Sequence, residues 1–296
     1  MNWDDLRVFL AVARSESLSA AGRALRLDPA TVGRRVARLE AETGAALFVK
    51  SPMGYALSEG GERLLPHAEA AEGVMVQAGE TLEGSDDRLS GLIRIGAPDG
   101  VANYLLPQVT AAIARDHPGL SVQIVALPRV FSLTKREADM AVALAMPADG
   151  RLTVQKIADY RLHLAASDAY LRKHGPIAHL DDLKGHPLIG YIPELIFAKE
   201  LNYLDDLGLG PPALASNSVA VQMNWLRQSA GVGIIHDFAV PLVPGLLRIL
   251  TSDVSLARSF YLIRHADDRR RARLNRFADL LVSGLREEIR RLEAEA

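Results

Sequence analysis

Apolar side chains recur at helical spacing through the first sixty residues of the chain. A first helix is predicted by the i, i+3, i+4, i+7 series that places side chains on one face. The members of that series are Leu6, Phe9, Leu10 and Ala13. A second helix begins near Ser17 or Ser19, either of which can cap it, and carries small side chains at Ala20, Ala21 and Ala24. Small residues allow a neighbouring helix to approach closely.

The third helix lies in the stretch LDPATVGRRVARLE, residues 27–40. Asp28 is predicted as its N-cap, Pro29 as its first residue and Gly44 as its end. One face holds the apolar residues Val32, Val36 and Leu39, and the opposite face holds Thr31, Arg34, Arg35 and Arg38. The pattern therefore predicts a helix with one buried side and one arginine-rich side.

Charge changes how this helix is interpreted. The whole chain of 296 residues has a net charge of −2, yet the segment from Arg23 to Arg38 holds five arginines and a single acid, Asp28. An outer face of this kind can be merely solvated. A helix, a tight turn and a second helix with a basic face is also the helix-turn-helix arrangement, whose second helix enters the major groove of DNA. The local charge favours the DNA-binding interpretation.

Two short β-prone runs follow in LFVKSPMGYAL, Leu47 to Lys50 and Tyr55 to Leu57, around the turn of residues 51–54. They predict a small hairpin, or wing. Lys50 and the hydroxyl of Tyr55 lie where phosphate contacts are usually made.

A long helix is predicted from the cap Ser58 to about Asp86, with Pro66 either kinking it or marking its first turn. Apolar residues along it alternate at spacings of four and three, as in the seam of a coiled coil. The seam residues are Leu64, Ala68, Ala71, Met75, Ala78 and Leu82. At about 1.5 Å per residue this helix is longer than so small a domain can cover. We therefore expect a second copy of the same helix to pair with it.

The chain then changes to alternating strand and helix, which predicts a mainly parallel α/β region. The predicted strands are 92–97, 121–126, 140–144, 161–166, 188–191, 232–236, 247–250 and 260–264. The predicted helices are 104–116, 168–173, 199–207, 219–228 and a last helix, 268–293, which buries Leu274, Phe277, Leu281 and Leu285. The arginines early in this last helix are interpreted as a solvated face.

Composition narrows the function classes. The chain contains no cysteine, which excludes disulfides, thiolate metal sites and cysteine nucleophiles. No apolar run is long enough for a membrane span and the N-terminus is acidic, so we expect a cytoplasmic protein. Catalytic motifs are missing, and His174, His179 and His186 lack the spacing of metal ligands. We expect no catalytic residues, no cofactor and no metal. A transport binding protein would have no use for residues 1–60, and a DNA-coating protein would have no use for the α/β region.

The longest run with a recognisable pattern is SLSAAGRALRLDPATVGRRVARLEAETGAALFVKSPMGYALSEGGERLL. It has paired small residues on the second helix, an arginine-rich third helix ending in Leu39-Glu40, the exit GAALF, and a wing followed by a helix start. Further along, GLIRIGAPDG, LLPQVTAAIARDHPGLSVQI, EADMAVALAMPADGRL, ASDAYLRKHG and GVGIIHDFAV continue the match. Over essentially its full length the chain resembles a LysR-type transcriptional regulator.

The resemblance implies an α+β multidomain protein. Its parts are a winged helix-turn-helix DNA-binding domain (1–58), a long linker helix for dimerisation (59–88) and an effector-binding domain (91–296). The last is a periplasmic-binding-protein-like fold of two α/β lobes, about 91–160 with 265–296, and 161–264, with crossings near Asp159 and Arg264. The resemblance also implies homodimers that often assemble as tetramers, promoter DNA and RNA polymerase as partners, and a small-molecule effector.

The sequence differs from the family pattern at three places. Gly33 and Arg35 replace a frequent serine and glutamine, so base preference does not carry over, and Ala143 replaces a frequent arginine. The expected DNA contacts are Ser19, Thr31, Arg34, Arg35, Arg38, Lys50 and Tyr55.

The expected effector contacts are Asp99, Arg129, Asn217 and Ser218. Asp99 follows a strand end, where ligands of α/β sheets bind, and Asn217 and Ser218 precede a helix whose N–H groups can hold an anion. A carboxylate at Asp99 repels an acidic effector. Two interpretations remain: an effector with both amine and acid groups, or an Asp99 that caps its own helix. A regulator with a degenerate pocket, acting without ligand, is the alternative function.

Overall fold

A computed structural model describes residues 1–51, 54–82, 88–126, 138–147 and 151–296 of the chain. The chain divides into two compact units, Met1–Asp86 and Asp87–Ala296. Within the described ranges, none of the helices is both long and apolar enough to span a membrane.

Three helices, a hairpin and a long helix make up the N-terminal unit. They are α1 (Trp3–Ser15), α2 (Leu18–Leu25), α3 (Pro29–Thr43), β1 (Phe48–Ser51), β2 (Gly54–Leu57) and α4 (Glu59–Leu82). The middle of the hairpin turn, residues 52 and 53, and the predicted end of the long helix, residues 83–86, lie outside the described residues.

Local capping sets the helix ends as the sequence predicts. The hydroxyl of Ser17 accepts a hydrogen bond from the N–H of Ala20, so Ser17 rather than Ser19 caps α2. Asp28 accepts from the N–H of Thr31 at the start of α3, and Gly44 ends that helix in the left-handed conformation at φ 66°. The capping predictions for α3 are confirmed.

The core of this unit lies between α1, α3 and the start of α4. Val32, Val36 and Leu39 are buried, which confirms the predicted inner face of α3. Phe9 is fully buried and its ring lies 5.3 Å from that of Phe48 on the hairpin. Pro66 lies inside α4 beyond its first turn, so the first-turn interpretation is wrong.

The C-terminal unit contains the remaining strands and helices. Its strands are β3 (Gly91–Ala97), β4 (Leu120–Ala126), β5 (Met140–Ala143), β6 (Leu152–Ser167), β7 (Leu188–Gly190), β8 (Leu214–Ala215), β9 (Val232–His236), β10 (Leu246–Ile249) and β11 (Leu256–His265). Its α-helices are α5 (Asp99–Tyr104), α6 (Leu106–Asp116), α7 (Asp168–His174), α8 (Tyr203–Asp206), α9 (Val219–Arg227) and α10 (Ala272–Glu295). Short 3-10 helices lie at Leu180–Gly185, Pro193–Leu195, Lys199–Leu201, Asp237–Leu242 and Ala266–Arg270.

These strands form one mixed sheet in the order β4-β3-β5-β11-β6-β9-β7-β8, with β10 beside β6. Parallel pairs occur at its two ends, β3 with β4 and β5, and β7 with β8 and β9. The four pairs that involve β6 or β11 are antiparallel. The prediction of a mainly parallel sheet is therefore wrong, because two long antiparallel strands join the parallel ends.

The two long strands connect two lobes. We call β3, β4 and β5 with α5 and α6 the first lobe, and β7 to β10 with α7 to α9 the second lobe. Along β6, residues 162–165 pair with β9, while residues 261–264 of β11 pair with β5. The register of the pair shifts between Phe260 and Tyr261, before the crossing predicted near Arg264. Both strands are longer than predicted, since their middle residues cross between lobes rather than end in a loop.

Three other predicted helices have different bounds. The helix predicted over 104–116 corresponds to α6, which begins two residues later at Leu106, and Tyr104 is the last residue of α5, a short helix that was not predicted. The helix predicted over 199–207 is a 3-10 turn followed by the one-turn α8, and α10 begins at Ala272, after a 3-10 helix, rather than at Asp268. The apolar face predicted for α10 is confirmed, because Leu274, Phe277, Leu281 and Leu285 are buried.

Candidate DNA-binding surface and inter-lobe cleft

The outer face of α3 begins with a chain of hydrogen bonds. The hydroxyl of Thr31 donates to Asp28 over 2.5 Å, and Nη2 of Arg34 donates to the same hydroxyl over 2.9 Å. The side-chain bond from Thr31, followed by its backbone N–H bond, lowers the pKa of Asp28. Arg34 is exposed. The helix cap thus holds Thr31 and Arg34 in a defined arrangement on the accessible side of α3.

The other two arginines of this face contact α1. Arg38 donates two hydrogen bonds to Asp5. Its Nε donates to Oδ2 over 2.6 Å, and its Nη2 donates to Oδ1. Asp5 is fully buried, whereas half of the Arg38 side chain stays exposed. Hydrogen bonding to Asp5 raises the pKa of Arg38. Arg35 lies 3.5 Å from Asp4 and 3.9 Å from Asp5. Arg38, predicted as a DNA contact, is thus engaged by a buried carboxylate in the free protein.

The hairpin is held against the end of α1. The N–H of Tyr55 donates to the carbonyl of Glu16 over 2.9 Å, and a Cβ at Gly54 would lie 2.4 Å from that same carbonyl. Tyr55 is half-buried, with its ring edge-on to Phe48 at 6.2 Å. Lys50 lies opposite Tyr55 in the hairpin and is exposed. Ser19 is exposed in the first turn of α2. The lysine is accordingly the accessible cation of this strand pair.

The predicted seam of α4 divides into two parts. Ala68 is fully buried in the core of its own unit, and Leu64 and Ala71 pack against the same cluster. Arg14 of α1 binds Glu72 through two hydrogen bonds of 3.1 and 2.6 Å. The prediction that the seam begins at Leu64 is therefore corrected, because α1 already covers this half of the helix.

The second half of α4 is exposed. Met75 is 51% exposed, its neighbour Val74 is 62% exposed, and Ala78 is also exposed. The side chain of Leu82 lies outside the described residues. The accessible part of the predicted seam is consequently its C-terminal half.

Asp99 connects the two lobes. One carboxylate oxygen, Oδ2, accepts hydrogen bonds from the hydroxyl of Ser218 and from the N–H of Ala220, both over 3.1 Å. The other, Oδ1, accepts from the amide of Asn103 over 3.1 Å. The residue at the N-cap of α5 is Pro98, without a side-chain cap bond. The interpretation that Asp99 caps its own helix is wrong, because its carboxylate binds the N-terminus of α9 in the second lobe.

The other expected effector contacts have different positions. Ser218 is the N-cap of α9, where its hydroxyl accepts from the N–H of Val221 over 3.4 Å. Asn217 is half-buried beside it. Arg129 lies outside the described residues. Burial, and secondly the charge of Asp99, raises the pKa of Tyr104 to about 12, which keeps that phenol neutral.

A cavity of about 320 Å³ lies between the end of β5 and the segment around Lys199. Its described lining is Pro98, Ala141, Val142, Ala143, Leu144, Ala145, Met146, Pro147, Phe197, Ala198, Lys199, Glu200 and Ile263. Apolar side chains dominate this lining, and Lys199 and Glu200 add charges of opposite sign. Among these residues only Ala143 was singled out from the sequence. The sequence of the hydrophobic residues after β5 does not indicate a cavity, because a strand end beside a cavity has the same apolar pattern as any other buried strand end.

A histidine missed by the sequence analysis lies at the end of β9. His236 is buried, with its ring 5.5 Å from that of Tyr160 and 4.9 Å from that of Phe238. A Cβ at Gly100 would lie 3.1 Å from its Cε1 atom. Burial lowers the pKa of His236 to about 4, so the ring is neutral at physiological pH. In the described ranges, no group of three His, Asp or Glu side chains is arranged to hold a metal ion.

Comparison with known proteins identifies both units. Residues 3–62 match the family described as bacterial regulatory helix-turn-helix protein, lysR family, and residues 86–286 match the LysR substrate binding domain. The regulator PtxR of Pseudomonas aeruginosa is 29% identical over 81% of this chain and 78% of its own length. The regulator CrgA of Neisseria meningitidis serogroup C is 26% identical over 96% of this chain and 97% of its own length.

Solved structures of full-length regulators have the same fold. That of CrgA from Neisseria meningitidis gives a TM-score of 0.59 at 23% identity, over 96% of this chain and 99% of that one. That of LysG from Corynebacterium glutamicum, with bound effector arginine, gives 0.66 at 19% identity, over 97% and 99%. A winged helix-turn-helix followed by a two-lobed domain, matched along nearly the whole chain, leads to one conclusion: the protein belongs to the LysR family of transcriptional regulators.

Proposed function

We propose that this regulator binds promoter DNA sequence-specifically, with the exposed face of α3 in the major groove. The observation that carries the proposal is the ordered group on that face, in which Asp28 holds Thr31 and Thr31 holds Arg34. An arginine can donate two hydrogen bonds to guanine, and one held in place loses less conformational entropy when it binds. Thr31 and Arg34 are the residues we expect at base edges.

The remaining basic residues of the unit supply affinity. Lys50 on the hairpin is exposed and would meet a phosphate, as would Ser19 and the hydroxyl of Tyr55. Arg38 primarily holds α3 against α1 through its ion pair with Asp5, and the exposed half of its side chain adds positive potential to the outer face of α3. Arg35 is less tightly held, at 3.5 Å from Asp4, and can turn towards DNA.

We further propose that the protein acts as a homodimer that assembles into tetramers. The exposed apolar residues Val74, Met75 and Ala78 on α4 supply the surface for pairing. The functional parts would be residues 1–58, 59–88 and 91–296, the last with lobes of about 91–160 plus 265–296 and 161–264. Such a protein works in the cytoplasm, recruits RNA polymerase and needs no catalytic group.

A small-molecule effector between the lobes is the second part of the proposal. The cavity beside Ala143 is large enough for a small ligand, and the related fold of LysG holds bound arginine. The alternative is a regulator that acts without ligand. It is favoured by the hydrogen bonds from Ser218 and Ala220, which already hold Asp99 against the second lobe.

The DNA proposal is tested with duplexes that the wild-type protein selects from a randomised library. Arg34→Ala should relax preference at one or two base pairs, losing about 1–3 kcal/mol of discrimination. Lys50→Ala should weaken selected and scrambled duplexes alike and make the salt dependence shallower. Arg172→Ala is the control, since this arginine is exposed in the C-terminal unit and pairs with Asp168 of its own helix.

Two results would contradict the proposal. Folded Arg34→Ala and Lys50→Ala proteins with the affinity and specificity of the wild type would remove α3 and the hairpin from the interface. A wild type that enriches no sequence, while binding all duplexes with strong salt dependence, would instead indicate a protein that coats DNA.

A further inference from the structure

The anion-binding position of the effector cleft is filled by the protein itself. The N-terminus of a helix attracts anions because its first N–H groups lack partners within the helix and its dipole is positive there. At α9 the N–H of Ala220 donates to Asp99 and the N–H of Val221 donates to Ser218. The Ser218 hydroxyl donates to the same Asp99 oxygen. A carboxylate of the first lobe therefore lies where a ligand carboxylate would bind.

Asp99 is itself held in place. The amide of Asn103, one turn along α5, donates to Oδ1 of Asp99 and to its backbone carbonyl, over 3.1 and 2.8 Å. Asp99 also begins α5, separated only by Pro98 from the buried end of β3 at Ala97. Both carboxylate oxygens thus have protein partners, and the side chain needs no external cation to be satisfied.

A second carboxylate in this position would meet two obstacles. It would lie against Asp99, and two carboxylates that share a site cannot both ionise easily. It would also lack donors, because Ala220 and Ser218 already donate to Asp99. The cavity of about 320 Å³ reaches this contact at Pro98, next to Asp99. Apolar side chains such as Ala143 and Phe197 dominate its lining, and the opposite charges of Lys199 and Glu200 leave it without a net charge.

We propose that Asp99 acts as a built-in carboxylate ligand of α9, which makes the cleft reject acidic effectors and accept a small, uncharged, mainly apolar molecule in the adjoining cavity. This inference rests on the proposed effector cleft and specifies the class of its ligand. Asp99 is then the residue that determines specificity, and the contact between the lobes forms without a ligand acid.

The test compares benzoate with its uncharged analogue benzamide, titrated calorimetrically into the full-length protein. The wild type should bind benzamide more tightly than benzoate. Asp99→Ser should shift the ratio of the two affinities towards benzoate by about tenfold or more, a change of ~1.4 kcal/mol. The smaller side chain frees the N–H of Ala220 and leaves room for an external carboxylate.

Two further variants separate charge from space. Asp99→Asn removes the repulsion but still fills the position, so its ratio should lie between those of the wild type and Asp99→Ser. Adding Ser218→Ala to Asp99→Ser should reverse most of the gain for benzoate. Asp168→Ser is the control, because it also removes an acid from the first turn of a helix, here α7 of the second lobe, and should leave the ratio unchanged.

The inference is overturned if the wild type binds benzoate as tightly as benzamide, if it binds no benzamide, or if Asp99→Ser leaves the ratio unchanged. Absence of benzoate binding to both proteins has the same consequence, since removing Asp99 would then open no anion site. Binding of the selected DNA duplex is recorded for each variant. Failure of the wild type to select any duplex, with an intact shift in the ratio, would count against the proposed DNA function and not against this inference.

Discussion

Gly22 allows α2 and α3 to approach, and replacing it provides a sharp test of the N-terminal fold. A Cβ at this position would lie 2.6 Å from the carbonyl oxygen of Leu27, where ordinary contact begins at 3.4 Å. This oxygen belongs to the backbone, so it cannot turn aside as a side chain can. The backbone nitrogen of Pro29, at the start of α3, would lie 3.6 Å from the same Cβ. The Leu27 N–H also donates to the Gly22 carbonyl over 2.9 Å, so the turn has little freedom to move. Gly22→Ala must displace the turn or α3.

A second glycine supplies the matched control. Gly33 lies inside α3. A Cβ added there would have the Leu18 side chain as its nearest neighbour, at 3.5 Å, which is an ordinary van der Waals contact. Alanine in place of a helical glycine gains about 0.5–1 kcal/mol at either position. Overpacking against a rigid backbone costs about 1–3 kcal/mol. The gain in helix propensity cancels between the two variants, so Gly22→Ala should be less stable than Gly33→Ala by about 1–3 kcal/mol.

The assay uses the two tryptophans of the chain, one in each unit. Trp3 packs against the N-terminal core and Trp225 lies in the C-terminal unit, so Trp225→Phe leaves Trp3 as a local reporter. Urea unfolding of the full chain, followed by Trp3 fluorescence, gives the stability of the N-terminal unit. If Gly22→Ala proved as stable as Gly33→Ala, the close approach of the helices would not constrain this fold.

Three other expectations concern a histidine, an ion pair and the long helix. Because the pKa of His236 is about 4 when folded and near 6.5 when unfolded, the unfolded chain binds a proton first as pH falls. The stability contributed by the neutral, buried ring is fully present above pH 6.5, and about 3 kcal/mol of it is lost as pH falls to about 4. His236→Gln should therefore flatten the pH dependence of Trp225-monitored unfolding, and a slope equal to that of the wild type would refute this. Arg38→Ala should lower the urea midpoint reported by Trp3, because the buried carboxylate of Asp5 loses both of its hydrogen bonds from Arg38, and Arg34→Ala should not. Equal midpoints would show that the pair does not hold α3 against α1. Met75→Glu should lower the sedimenting mass and weaken DNA binding together, because a charge buried on pairing must lose its water, and an unchanged mass would remove this surface from the dimer.

The sequence alone predicts the local structure of the DNA-binding unit well. Asp28, Pro29 and Gly44 define α3 through contacts within a few residues, so their signals are readable without the fold. The buried side of α3 follows from its period of 3.6 residues, and Val32 and Leu39 lie where that period puts them. The resemblance to one family is equally a property of the sequence, and the matches along both units confirm it.

The tertiary structure decides which polar groups are free to act. Arg34 and Arg38 look alike on a helical wheel, yet Arg38 binds a buried aspartate 33 positions away and Arg34 binds Thr31 of its own helix. The half of α4 that is free to pair is likewise set by α1, which buries Ala68. Helical spacing specifies the direction of a side chain along its own helix. It does not specify what another element places opposite.

The same limit applies to the cleft. The alternation of strands and helices predicts an α/β domain, but it does not reveal that β6 and β11 cross between the lobes as antiparallel neighbours. Asp99 could be placed at a strand end from the sequence, while its partner Ser218 is 119 positions away. Capping and periodicity act over a few residues and leave a pattern in the sequence. A hydrogen bond between lobes depends on how the whole domain closes, and only the folded chain determines it.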